Sequence, residues 1–158
     1  MVNVLDKVQP KNKTQLKSLI EYAFNHNIYD LNFIDTSEIT DMSNLFMNCE
    51  YDIDVSNWDV SNVTNMSGMF YNCENFNCDL SKWNVSNVTN TAGMFYFCKN
   101  FDCDLSRWNV SNVKYMYLMF HNCKKFNSDM SNWNVTKAKS TLNMFDGCNK
   151  MTIPNWYK

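Results

Sequence analysis

Between residues 76 and 80 the order Phe-Asn-Cys-Asp-Leu alternates apolar with polar, which predicts a short strand with Phe76, Cys78 and Leu80 pointing inward. The same alternation stands at 51–55, 101–105 and 126–130. Beyond each strand the pattern loosens: Trp83, Val85 and Val88 stand among serine and asparagine, a turn-rich edge that pairs only briefly. At 65–73 the spacing changes again. Met66, Met69, Phe70 and Cys73 fall at i, i+3, i+4 and i+7, which predicts one or two helical or 3₁₀ turns facing the core. One longer helix is expected over about residues 14–26, where Leu16, Leu19, Ile20, Ala23 and Phe24 form a stripe, Lys17, Ser18 and Glu21 stay outside, and Thr14 supplies the N-cap.

The short patterns recur at a fixed distance. Cys73, Cys98, Cys123 and Cys148 stand 25 residues apart, as do Trp58, Trp83, Trp108 and Trp133. A fifth copy, residues 34–57, has 24 residues, with Ile34 in the Trp column, Met42 with Met66, Phe46 with Phe70, Cys49 with Cys73 and Tyr51 with Phe76. Its missing residue is the counterpart of Asn75. Phe46, Phe70, Phe95, Phe120 and Phe145 form a further column, so the expected core is a set of columns running through stacked repeats, the signature of a solenoid. The chain then divides into a capping segment (1–33), five tandem repeats (34–150) and a C-terminal cap (151–158). In that last cap Met151 and Ile153 start a final strand, Pro154 removes a backbone donor, and Trp156 and Tyr157 fold over the last core layer.

The runs LFMNC (45–49), MFYNC (69–73), MFYFC (94–98), MFHNC (119–123) and MFDGC (144–148) resemble the AFxxC signature of BspA-like leucine-rich repeats. They are closer still to the mycoplasma lipoprotein-type subgroup of 25-residue repeats, with its W-x-V-S-x-V-T-x-M-x-x-M-F pattern. The resemblance covers roughly residues 31–156, and the lead-in DLNFIDTSEITDMSNLF (30–46) is similar to that subgroup's first turn. It implies an α/β repeat solenoid: a leucine-rich-repeat-like right-handed superhelix of about five turns, with a short parallel β-sheet and short helical or 3₁₀ turns. It also implies adhesion or protein binding rather than chemistry. Thr91 and Thr141 in the Met66 column, and Ala138 in the Val63 column, depart from the pattern.

Composition changes this picture in few places. A hydrophobic content of 45% excludes wholesale disorder. Mean hydropathy of -0.44, with no apolar run near the length of a membrane span, leaves no expectation of membrane insertion. The first ten residues show no basic stretch followed by an apolar run, so an intracellular location and free thiols are expected for the seven cysteines. Net charge is only -2, but its distribution is uneven: 12 acidic and 4 basic residues up to Asp79 give -8, and 4 acidic and 10 basic beyond it give +6. Such a dipole favours self-association into homo-oligomers. The lysines at 114, 124, 125, 137 and 139 lack the aromatic partners of RNA-binding motifs, so nucleic acid is not an expected partner.

Candidate chemistry follows the columns. Cys49, Cys73, Cys98, Cys123 and Cys148 form no CxxC pair and read as space-filling core, with no metal. Asp54, Asp79, Asp104 and Asp129, flanked by Asp52 and Asp102, should form an acidic strip on the outer strand face. Two readings of the strip stay open: aspartates accepting backbone N–H groups at turns, or a surface for a basic partner or Ca²⁺ in a cation-dependent adhesin. Asn62, Asn87 and Asn112, with Asn84, Asn109 and Asn134, read as structural ladders at the corners. His26 and His121 lie in different segments and no nucleophile triad, metal motif or phosphate loop occurs, so neither catalysis nor a cofactor is expected. The positions after each Met-Phe pair vary, which points to Met47, Tyr71, Tyr96, Phe97 and His121, together with Tyr115 and Tyr117 in the fourth repeat, as a surface for an unidentified protein partner.

Overall fold

The computed structural model describes residues 7–158. Residues 1–6 of the predicted capping segment lie outside the described residues. Helix α1, Lys13–Asn25, buries Leu16, Ile20 and Ala23 and is the only α-helix among the described residues. Its N-cap is Asn12 rather than Thr14: the Asn12 side chain accepts the Gln15 N–H at 3.0 Å, and the Gln15 side chain accepts the Lys11 N–H at 2.7 Å. This reciprocal pairing satisfies donors that a cap at Thr14 would have left open.

From residue 34 onward each repeat bonds to the next through one recurring joint. In the second repeat the N–H groups of Met66, Gly68, Phe70 and Asn72 donate to the carbonyls of Asn90, Ala92, Met94 and Tyr96, at 2.6–2.9 Å. The same four columns join the first repeat to the second, the third to the fourth and the fourth to the fifth. Intervening N–H groups turn back within the repeat, Met69 to Met66, Tyr71 to Gly68 and Cys73 to Phe70. Backbone polarity at these positions is thus shared alternately between neighbour and self.

This joint corrects two expectations from the hydrophobic pattern. The segment 65–73 is a chain of turns, not a helix, because two residues in each copy hold positive φ: Asn44 and Asn48, Gly68 and Asn72, Gly93 and Phe97, Leu118 and Asn122, Asn143 and Gly147. A left-handed residue every fourth position stops an α-helix from propagating and frees alternate N–H groups for the neighbour. Pairing between repeats is accordingly recorded at Asp41, Asn65, Asn90, Tyr115 and Ser140 as parallel bridges.

Conversely, no continuous strand forms at 51–55, 76–80, 101–105 or 126–130. There a side chain takes the ladder donor. The Val55 N–H goes to Cys78 Sγ at 3.4 Å, Leu80 N–H to Cys103 Sγ at 3.1 Å, and Leu105 N–H to Ser128 Oγ at 3.0 Å.

The core lies between these two sides. Phe46, Phe70, Phe95, Phe120 and Phe145 stack with ring centroids 5.5–5.8 Å apart and planes within 8° of parallel. A second stack, Phe76, Phe101 and Phe126, packs against it at 4.0–4.2 Å. Four tryptophans are buried, and their indole N–H groups donate to carbonyls of the preceding layer: Trp58 to Leu31, Trp83 to Val55, Trp108 to Leu80, Trp133 to Leu105. Trp156 makes the same bond to Met130 at 2.7 Å and so belongs to this column, while Tyr157 packs edge-on against Phe145. At the opposite end Val8 pairs with Ile34, and α1 lies over the first layer.

Candidate interaction surface

The turn segment positions most of the variable side chains. Because its chain alternates in and out, the residue before each second left-handed position projects outward, and copies of that position stack along the joint. Tyr71 and Tyr96 stand 4.4 Å apart and nearly parallel; Tyr96 and His121 follow at 5.1 Å. Phe97 packs beside Tyr96 at 4.7 Å and His121 at 6.0 Å, with the Lys99 ammonium 6.0 Å above its ring. Burial, and then the neighbouring Tyr96 hydroxyl, pushes the Tyr71 phenol above its ordinary value. His121 Nδ1 is shielded from solvent and has no hydrogen-bond partner among the described residues.

The structure therefore brings together Tyr71, Tyr96, Phe97 and His121. Met47 occupies the same column one layer earlier and is exposed. Tyr115 and Tyr117 are also exposed but stand in other columns, and among the described residues neither makes a ring contact with the row. Tyr115 replaces the asparagine that closes a corner at Asn65 and Asn90. Leu142, 68% exposed, shares the column of Tyr117. Sequence reasoning missed Leu142; the signal was a leucine where other repeats carry Ser67 or Ala92.

Two residues of this region are strained. The left-handed positions hold asparagine or glycine in eight of ten cases, and the exceptions are Phe97 at φ 58° and Leu118 at φ 58°. An L-residue with a bulky side chain sits there at a cost of roughly 1–2 kcal/mol.

The other columns resolve into structural roles. Asp54, Asp79, Asp104 and Asp129 each accept the N–H of the serine two residues on, at 2.9 Å. Those bonds hold the carboxyls of Asp79, Asp104 and Asp129 below their ordinary value; at Asp54 burial opposes the shift but is outweighed by Ser56, Asn32 and Cys78. Asp102 and Asp104, with Asp129, line a shallow depression of about 400 Å³, and Asp52, Asp54 and Asp79 line a smaller one. No three His, Cys, Asp or Glu side chains converge into a metal-binding group among the described residues. Asn62, Asn87 and Asn112 donate to the carbonyls of Ser37, Ser61 and Ser86, and Asn84, Asn109 and Asn134 close their own corners.

The cysteine column does more than fill space. Cys73, Cys98, Cys123 and Cys148 each donate an S–H to a carbonyl of the preceding repeat, Phe46, Phe70, Phe95 and Phe120, at 2.9 Å. Burial pushes the Cys73 thiol up to about 12 and raises Cys98 and Cys123 well above 9.0. Such thiols are poor nucleophiles and poor metal ligands. All seven cysteines are free. His26, the other histidine, bonds the Tyr22 carbonyl at the end of α1. No helix among the described residues is long and apolar enough to cross a membrane.

No curated protein and no solved structure matches the chain. A family model described as "Mycoplasma protein of unknown function, DUF285" matches twice, over residues 14–106 and 40–156. The two matches together run from α1 through all five repeats to Trp156, and the chain belongs to this family, a repeat family related to BspA-like proteins.

Proposed function

We propose that the chain is a solenoid of the BspA-like leucine-rich-repeat type, about five turns long, and that it acts without catalysis as a protein-interaction module. The 25-residue period and the joint repeated four times support the architecture. One observation carries the functional reading: bulky apolar residues, Phe97 and Leu118, stand at left-handed positions beside the Tyr71–Tyr96–His121 row, where every other repeat uses asparagine or glycine. Strain kept at a surface position, where a stabilising alternative is found one layer away, points to a contact rather than to packing. Aromatic rings held rigid by stacking also supply contact area at little entropic cost.

The test compares the wild-type chain with the double variant Phe97→Asn/Leu118→Gly, each immobilised and crosslinked in extracts of the cells that express it. Wild type should retain a partner that the variant loses, although the variant melts at a higher temperature. Equal retention by both, or none by wild type, refutes the reading. The acidic strip supports no rival of equal weight, because its four repeating aspartates already serve corner N–H groups.

A further inference from the structure

The turn segments, with the residues that flank them, reverse charge along the stack. In the first two repeats they hold Asp41, Glu50 and Glu74 and no basic residue. In the last three, over 89–100, 114–125 and 139–150, they hold six lysines against Asp146 alone. The fourth repeat lies inside the stack, with a repeat on each side, and carries three of the six. Lys114 stands at the start of its turn segment and Lys124 and Lys125 at its end, all exposed.

The lysines stand where other repeats hold the stack together. Thr64 and Thr89 share the column of Lys114, and each bonds the carbonyl of the layer before, Thr40 or Thr64, through both its N–H and its hydroxyl. Lys114 and Lys139 keep the backbone bond, to Thr89 at 2.8 Å and to Lys114 at 2.7 Å, and give up the hydroxyl bond. Two lysines are thereby set on adjacent rungs, which is unfavourable unless opposite charge meets them. At the other margin Glu74, Lys99 and Lys124 share a column. Lys99 pairs with Glu74 at 2.6 Å, whereas Lys114, Lys124, Lys125 and Lys139 have no carboxylate partner among the described residues. Beside Lys114, Tyr115 replaces the corner asparagine of Asn65 and Asn90, and Leu118 takes a left-handed position. Three structural positions are given up on one face of one repeat, and what replaces them is cationic, aromatic or apolar.

The rings between the two lysine margins favour the same kind of partner. Tyr71, Tyr96 and His121 cover one another's faces at 4.4 and 5.1 Å, so the row turns its edges outward, the positive side of an aromatic quadrupole. Ring edges and ammonium groups both attract carboxylates. Nucleic-acid bases need open ring faces, and the row has filled its faces with its own members.

We infer that the partner of the aromatic row is an acidic polypeptide segment, its carboxylates held by Lys114, Lys124 and Lys125 of the fourth repeat and Lys139 of the fifth. This rests on the reading of that face as an interaction surface and adds the chemistry of what it takes.

Short random peptides displayed on phage and selected on the immobilised whole chain supply the probe. Selected sequences should be enriched in aspartate and glutamate. Their synthetic forms should weaken with salt and lose at least about tenfold in affinity for Lys114→Glu/Lys124→Glu, and less for Lys114→Gln/Lys124→Gln, with melting temperatures no lower than wild type. Selection without acidic enrichment, or no selectable peptide, overturns the inference. So does affinity unchanged by both lysine variants, or a single-stranded oligonucleotide that binds more tightly than any selected peptide. The partner retained from extracts separates this inference from the reading beneath it. A partner lost by Phe97→Asn/Leu118→Gly but kept by Lys114→Glu/Lys124→Glu overturns the acidic chemistry and leaves the interaction surface standing, whereas a partner kept by both variants overturns both.

Discussion

Raising the pH from about 8 to about 10 should destabilise this protein steeply, and the reason is the cysteine column. Cys73, Cys98 and Cys123 are buried to within 1% of complete, and burial holds each thiol protonated far above the ordinary 9.0, at Cys73 up to about 12. A folded pKa above the unfolded one favours the fold fully below about 9, and the benefit is lost as pH rises through about 12. Within that window the unfolded chain ionises and the folded chain does not, so each thiol removes about 1.4 kcal/mol of stability per pH unit. At about pH 10 Cys73 alone removes about 1.4 kcal/mol and Cys98 and Cys123 add to it in the same direction, against a typical total of 5–15 kcal/mol. Cys78, Cys103 and Cys148 shift in the same direction and deepen the loss. The assay is urea unfolding followed by tryptophan fluorescence at a series of pH values under a reductant. Cys98→Ala should lower stability at neutral pH through lost packing and the lost S–H bond to Phe70, yet flatten the decline above about pH 9. A stability that stays level to about pH 10.5, or thiolate absorbance appearing while the fold is intact, would refute the reasoning.

Strain gives a second prediction: Leu118→Gly should stabilise by about 1 kcal/mol, read as a raised melting temperature, and a lowered one would show that φ 58° at this position is compensated by the leucine's contacts. The glycines of the same column separate two effects. A Cβ at Gly68 would run into the Asn44 side-chain oxygen, whereas one at Gly93 meets only ordinary contacts with Tyr71 and Tyr96. Gly93→Ala should therefore cost about 1 kcal/mol from φ alone and Gly68→Ala about the same once the exposed Asn44 side chain turns away, whereas Gly147→Ala, whose Cβ would press on the Asn122 backbone, should cost more, by chemical denaturation. At the acid end, the carboxyls of Asp54, Asp79, Asp104 and Asp129 are depressed by their serine N–H bonds, so their contribution is present above about 3.8 and fades as pH falls through the folded values. Asp79→Ala should remove part of that acid sensitivity and about 1 kcal/mol of stability, and an unchanged midpoint at both neutral and acid pH would contradict the corner role.

The period and the identity of the columns were legible because burial is selected residue by residue: Trp58, Phe70, Val63 and their counterparts sit where the 25-residue spacing assigns them. The local conformations were not. Alternation at 76–80 reports only that side chains face in and out, and cannot tell whether a backbone donor meets a carbonyl or, as at Leu80, the sulfur of Cys103. The i, i+3, i+4, i+7 spacing of Met66, Met69, Phe70 and Cys73 fits a helix and also fits successive turns that bury the same face. What distinguishes them is the Asn or Gly at the columns of Gly68 and Asn72, a signal of left-handed backbone that outranks apolar spacing. Trp156 was hidden because two residues are lost before it, although Asn155-Trp156 repeats Asn132-Trp133 and Asn57-Trp58. At the surface the aromatic positions were legible as variation between copies. Their grouping was not, since Tyr96 meets His121 while Tyr117, two residues from Tyr115, belongs to another column.

The residue missing from the first repeat falls beside Glu50, outside the turn segment, and the joint to the second repeat keeps all four bonds. Corner length and joint register are thus separate quantities in this molecule. Duplication or loss of a whole unit leaves every remaining joint with the same donors facing the same acceptors, and small insertions are absorbed at the corner without disturbing the layer above. Overall length becomes something that can be altered in whole layers by a single genetic event, with no second change needed to repair the core. What such an event would reset is the spacing between the acidic and basic ends, and with it the reach of whatever the molecule spans.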